Sequence, residues 1–298
     1  MIVDRTGRFV GLFYVLIAAV LFGSAFTLAK EPLKSINSLM LSSVVYLISG
    51  ASLLPAAFRS PLKITGKRQV AILVIIAILG AAVAPLLLFF GLEQTEPTDA
   101  AILVNGEIIF TIIFAWIFFG ERASDLRSIA SIILVIIGLG LATTDLRISG
   151  TLFQYKPGNI MILAATVCWA LDNNISRRLL VTANIGPASL AMIKSFMGGS
   201  ILFVTSVLLG RVSLAFPVSL WPQIIFMSVF GFGYALLFFL KGLKKIGTVG
   251  TMMVFSLTPI FGIVIAILVT GASISYLQVF ATALIIFGII MINRKAKR

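Results

Sequence analysis

Apolar residues come in runs of about 20, the length a helix needs to cross the hydrocarbon core of a bilayer. The runs cover residues 9–29, 38–58, 69–91, 98–119, 126–143, 158–177, 187–209, 219–240, 248–269 and 275–292. Short connections separate them, punctuated by Pro32, Pro61, Pro97, Pro157, Pro187 and Pro217. Backbone groups in lipid have no water to bond, so runs of this kind predict helices, whose hydrogen bonds close within the segment. The pattern thus predicts an all-α polytopic membrane protein with ten transmembrane helices and no room for a soluble domain. The first run is too long for the core of a secretory signal, and more spans follow it, so it reads as the first helix.

A second pattern lies on top of the first. Leu87-Leu88-Phe89-Phe90-Gly91-Leu92-Glu93-Gln94-Thr95-Glu96 recurs as Phe238-Phe239-Leu240-Lys241-Gly242-Leu243-Lys244-Lys245-Ile246-Gly247. The apolar lead-in and the Gly-Leu step are kept, and the acidic loop has become a basic one. Further matches run in the same order: Leu16 to Gly23 with Leu163 to Ala170, Ile108 to Phe110 with Pro259 to Phe261, Gly120 with Gly271, and Leu134 to Gly138 with Leu284 to Gly288. The chain divides into residues 1–148 and 149–298, with five spans in each half. Five is odd, so a second copy enters the membrane from the opposite side. The reading is two inverted five-helix repeats, an arrangement found in secondary transporters.

Charge sets the orientation. With both ends inside, seventeen Lys and Arg fall on the inner side, including Arg59, Lys63, Lys67, Arg68, Arg177, Arg178, Lys241, Lys244 and Lys245. Five fall outside: Lys30, Lys34, Arg147, Lys156 and Arg211. That asymmetry predicts cytoplasmic N- and C-termini in the inner (plasma) membrane. The net charge of +13 is accounted for by these topology signals and by contact with anionic lipid, and does not imply nucleic acid.

Composition narrows the chemistry. The chain is 60% hydrophobic and 11% charged, and its mean hydropathy is +1.14. It has no His and one cysteine, Cys168. Imidazole chemistry, disulfides within the chain and multi-cysteine metal centres are therefore excluded. No cofactor or metal is expected. Gly231-Phe232-Gly233 lies inside a span with no strand before it, so it is not a nucleotide fingerprint. With no ATP-binding motif, energy has to come from gradients.

Charges inside the spans are then the candidates. Glu107 lies nine residues into the fourth span, roughly 14 Å deep at ~1.5 Å per residue. A carboxylate near the midplane costs at least a few kcal/mol unless paired or hydrated. It either lines a cavity, binding a cationic group or carrying a coupling proton, or packs through a hydrogen bond to another helix. Asn105-Gly106 beside it and Pro259 in the matching span predict helix breaks, which in repeat transporters flank the binding site. Asp172 and Lys194 lie at similar depth in consecutive antiparallel spans and predict an ion pair, either structural or a cytoplasmic gate. Trp169 shares the face of Asp172, whereas Asn173 and Asn174 point elsewhere and rank lower. The repeat places Thr258 opposite Glu107 and Tyr46 opposite Lys194, so these charges are not part of the duplicated scaffold.

The chain resembles the EamA branch of the drug/metabolite transporter superfamily. The resemblance rests on Phe22-Gly23-Ser24 with Lys30, on Cys168-Trp169-Ala170 with Arg177-Arg178, on Phe119-Gly120-Glu121-Arg122, and on the glycine-containing ends of the fifth and tenth spans. It implies ten helices, two inverted repeats, a central cavity and export of amino acids or other small metabolites. The sequence departs from that pattern at Glu107-Ile108, where the family often has Glu-Pro, at Thr258 in an acidic position, and at Gly271-Ala272 in place of Gly-Glu. The expected function is a secondary-active exporter of a small metabolite such as an amino acid, by alternating access in a lipid bilayer. The alternative is exchange of cationic or lipophilic drugs for protons at Glu107. A membrane-embedded enzyme would need an acid–base pair, and Glu107 and Asp172 are at different predicted depths. A channel would not require an inverted repeat.

Overall fold

The computed structural model describes residues 5–119, 157–212, 216–271 and 274–293, with positions 130, 133, 134, 137, 138 and 141 between them. Apart from those positions, the predicted fifth span, 126–143, lies outside the described residues. So do Gly120, Glu121, Arg122, Arg147, Lys156, Ala272 and the basic residues after Asn293.

The described elements are helical: α1 (Arg5–Leu33), α2 (Ser38–Ser52), α3 (Lys67–Gln94), α4 (Pro97–Leu103), α5 (Gly106–Phe119), α6 (Pro157–Thr182), α7 (Pro187–Leu208), α8 (Val218–Thr248), α9 (Thr258–Thr270) and α10 (Tyr276–Asn293). By length and composition Thr6–Leu33, α3, α7 and α8 are each sufficient to cross a bilayer. The apolar helices Ser38–Ser52, Thr258–Thr270 and Tyr276–Gly288 are shorter. The protein is an all-helical membrane protein with several apolar spans.

The predicted fourth and ninth spans are both interrupted. Between α4 and α5 the chain turns at Val104-Asn105, where Asn105 N–H donates to Ile102 O and Ile108 N–H to Asn105 O, both at 3.1 Å. Before α9 it turns at Ser256-Leu257, where Leu257 N–H donates to Val254 O at 3.1 Å and Ile260 N–H to Leu257 O at 3.0 Å. These tight bonds satisfy groups that the break would otherwise leave open. Pro259, lacking an N–H, sits in the first turn of α9, where no donor is needed.

Two widened, π-helical stretches also occupy corresponding places: Ile78–Val83 in α3 and Met227–Tyr234 in α8. The first precedes Ala84-Pro85. Pro85 cannot bond the carbonyl of Ala81 and its ring crowds that carbonyl, so the helix opens just upstream.

Packing repeats between the halves. Helix α2 runs antiparallel to α7: Ser43 Oγ donates to Gly199 O at 3.1 Å, Ser49 Oγ to Ser195 Oγ at 3.3 Å, and Ser189 Oγ to Ser60 O at 3.0 Å. Helix α1 packs antiparallel on α8, with Tyr14 stacked on Phe238 and Gly231 against Ala25. Helix α3 does the same on α6, with Gly80 against Asp172 and Gly91 against Ile162. Serines and glycines at these crossings let backbones approach and bond across the interface.

The loops gather at two ends. At the basic end, Lys63 N–H donates to Asn184 O (2.9 Å) and Gly186 N–H to Pro61 O (2.7 Å), around an isolated Leu62–Ile185 bridge. At the other end Asn37 bonds Arg211 O at 3.2 Å, Thr95 bonds Asn159 at 2.8 Å, and Ser38 bonds Glu93.

Candidate functional site

Helices α1, α2, α3, α5, α6, α8 and the segment before α9 meet around a small central cavity of about 60 Å³. That is room for a few waters, each needing roughly 10–15 Å³. Its wall includes Glu107, Trp169, Asp172, Asn173 and Tyr46 with Gly80, and a run of rings from Phe22, Phe232, Phe239 and Phe255. Four of the residues singled out in the sequence, Glu107, Asp172, Trp169 and Tyr46, therefore share one chamber.

The two acids come together, which corrects the expectation that they lie at different depths. Depth counted along one helix ignores tilt and the break at Asn105, and both carboxylates line the same space. Asn173, ranked below Asp172, also lines it, and its amide donates to Glu107 Oε1. The spacing carried that signal: Asn173 is four residues after Trp169, so the two share a helix face. Asn174 instead donates to Ala170 O at 2.9 Å.

Lys194 stands behind Asp172. Its ammonium bonds Asp172 Oδ2 and lies 3.4 Å from Ser176 Oγ, while Ser176 donates to Asp172 Oδ1 at 3.0 Å. Both carboxylate oxygens are satisfied, as a pair with exposures of only 1% (Lys194) and 2% (Asp172) requires. Glu107 is 5% exposed and has an amide, not a cation, as its hydrogen-bond partner among the described residues. The cavity thus holds one neutralised acid and one acid without a salt bridge among the described residues.

The widened turn in α3 shapes this wall. Trp169 Nε1–H donates to Gly80 O at 3.0 Å, a carbonyl within the π-helical stretch. A Cβ at position 80 would collide with the Asp172 carboxylate, so only glycine lets α3 approach here. Around the rest, Phe22 meets Trp169 edge-on at 5.6 Å and Phe232 edge-on at 5.7 Å, and Tyr46 tilts against Phe232 at 5.4 Å. Phe239 packs edge-on against Phe255 at 4.9 Å.

Asn105 and Thr258 occupy the two helix breaks and are not among the described lining residues. Thr258 Oγ donates back to Phe255 O at 2.6 Å, and the buried Asn105 amide nitrogen has no hydrogen-bond partner among the described residues. Gly106 and Pro259 open the helices after those breaks. A further kink, at Gly247 with φ 73° and ψ 177°, faces the Arg177 side chain at the basic end. Among the described residues no cluster of His, Cys, Asp or Glu could hold a metal ion.

An all-helical bundle of apolar spans around a small polar and aromatic chamber is the architecture of a membrane transporter. The EamA-like transporter family matches residues 9–144 and 156–294, and the chain belongs to it. This is a transporter family, not an enzyme family. An uncharacterized transporter of Methanothermobacter thermautotrophicus is 25% identical over 97% of this chain and 88% of its own length. One from Clostridium kluyveri is 26% identical over 96% and 94%. A solved crystal structure superposes with a TM-score of 0.69 at 18% identity, covering 99% of this chain and all of that one.

Proposed function

We propose that this chain is a secondary-active exporter of a small metabolite such as an amino acid, working by alternating access about the central cavity. The architecture behind it is ten transmembrane helices in two inverted five-helix repeats, residues 1–148 and 149–298. They sit in the inner (plasma) membrane with both termini cytoplasmic. The antiparallel contact of α2 with α7, the paired breaks at Asn105 and Leu257 and the paired π-helical stretches support the inverted repeat. The gathering of Lys63, Lys67, Arg68, Arg177 and Arg178 near one end supports the orientation.

The observation that carries the function is the chamber itself. Glu107 and the Asp172–Lys194 pair face each other where elements of both halves meet, next to a broken helix. In this reading Glu107 binds a cationic group of the cargo or carries the coupling proton. The Asp172–Lys194 pair opens when cargo or a conformational change competes for its partners. A chamber of about 60 Å³ is too small for a metabolite, so in this reading it widens as the halves part.

The second reading, exchange of cationic or lipophilic drugs for protons, draws on the rings beside Glu107, which has no salt bridge among the described residues, since aromatic faces attract organic cations. A metabolite screen on proteoliposomes, with wild type and Glu107→Gln and with and without a pH gradient, tests both. The exporter reading expects saturable transport of a zwitterionic metabolite that Glu107→Gln impairs. Uptake restricted to organic cations and driven by protons favours the second. A Glu107→Gln protein with normal expression, wild-type rate and wild-type pH dependence contradicts both.

A further inference from the structure

We propose that the groove between the basic ends of α3 and α6 is a binding site for an anionic phospholipid. The groove encloses about 560 Å³ and is separate from the central cavity. Helix α6 divides the two: Trp169, Asp172 and Asn173 face the cavity, while Leu171, Ile175 and Arg178 face the groove. The spacing of these last three, four and three residues apart, makes one continuous helix stripe. The opposite wall comes from Arg68, Ile72 and Ile75 of α3.

Each wall changes character with depth. From Arg178 to Leu171, and from Arg68 to Ile75, is about two helical turns, or roughly 10 Å. The mouth therefore carries two guanidinium groups, and the deeper part is mainly aliphatic, with Asn174 as its polar member. Neither arginine has an acidic partner among the described residues. Paired guanidinium forks match the oxygens of a phosphate, and the aliphatic floor suits the first carbons of an acyl chain. Ile75 is 47% exposed, so the groove opens sideways toward the hydrocarbon as well as toward the basic end. A lipid can enter by that side with its headgroup at the interface, where anionic lipids concentrate around basic segments. A soluble anion would gain nothing from the lateral opening.

The test uses the full-length protein, equilibrated with phosphatidylcholine vesicles containing phosphatidylglycerol and then extracted in mild detergent. Native mass spectrometry counts the retained lipid. Wild type should keep phosphatidylglycerol, and Arg68→Ala/Arg178→Ala should keep at least tenfold less. Lys244→Ala/Lys245→Ala removes the same charge at the same end but outside the groove, and should retain lipid like wild type. Ile75→Trp fills the groove without changing charge and should also lose lipid, which decides the matter if the arginine variant fails to fold. Undiminished retention by Ile75→Trp or by the arginine variant overturns the site, as does equal loss in the lysine control. Thermal stabilisation by inorganic phosphate with no phosphatidylglycerol retained makes the occupant a soluble anion and overturns the lipid assignment.

Discussion

Asp172 and Lys194 can be tolerated in the core only because each satisfies the other. Removing one partner leaves an isolated buried charge, at a cost of about 3–5 kcal/mol. Asp172→Asn or Lys194→Gln alone should therefore lower the melting temperature of the detergent-purified protein markedly. The double variant, with no charge left, should recover much of that loss. A double variant as unstable as the worse single one would mean that the two charges are not energetically coupled. This pair was legible in the sequence because opposite charges stood at similar depth in consecutive spans. Glu107 was legible for a similar reason, as an acid deep in an apolar run. Its bond to Asn173 was not, because counting 100° steps from Asp172 turned Asn173 away, whereas the cavity is wide enough to take both. Thr258 was reached through the repeat and through the family pattern, and its hydroxyl bonds Phe255 O next to the helix break.

Helices here carry two kinds of irregularity, and only one left a mark in the sequence. Asn105-Gly106 and Pro259 announced the breaks, since each weakens or forbids an interior helical bond. The π-helical stretches Ile78–Val83 and Met227–Tyr234 did not stand out, because one extra residue in a turn barely disturbs an apolar run. Their consequence lies in the third dimension: Gly80 O meets Trp169 while the glycine itself makes room for Asp172. Gly80→Ala should cost about 1–3 kcal/mol through overpacking and weaken transport by displacing Asp172. Thermal unfolding and a transport assay on the same preparation check this. An alanine variant equal to wild type in both would show that the contact at position 80 yields freely. Filling the matching π-helical stretch at Gly231, where the neighbour is the Ala25 methyl and not a carboxylate, should affect transport less.

On the scale of the whole molecule, the apolar spans were readable from the periodicity and the duplicated halves from the co-linear matches, while the family came from a resemblance of short motifs such as Phe22-Gly23-Ser24 and Cys168-Trp169-Ala170. The convergence of Glu107, Trp169, Asp172 and Tyr46 was not, because one helix's depth says nothing of its tilt against another. The proposed orientation makes its own prediction. In a Cys168→Ser background, Lys63→Cys should react with an impermeant thiol reagent only from the cytoplasmic side, and Lys34→Cys only from the outer side. The opposite pattern would reverse the topology without disturbing the fold. The central claim is that this chain is a carrier whose chamber works through Glu107, and counterflow in proteoliposomes tests it most directly. With a metabolite identified by the screen, wild type should show saturable exchange accelerated by unlabelled substrate on the far side, and Glu107→Gln should lose most of that acceleration at normal expression. Unsaturable flux without trans-stimulation, or a Glu107→Gln protein that exchanges as wild type does, would contradict the account.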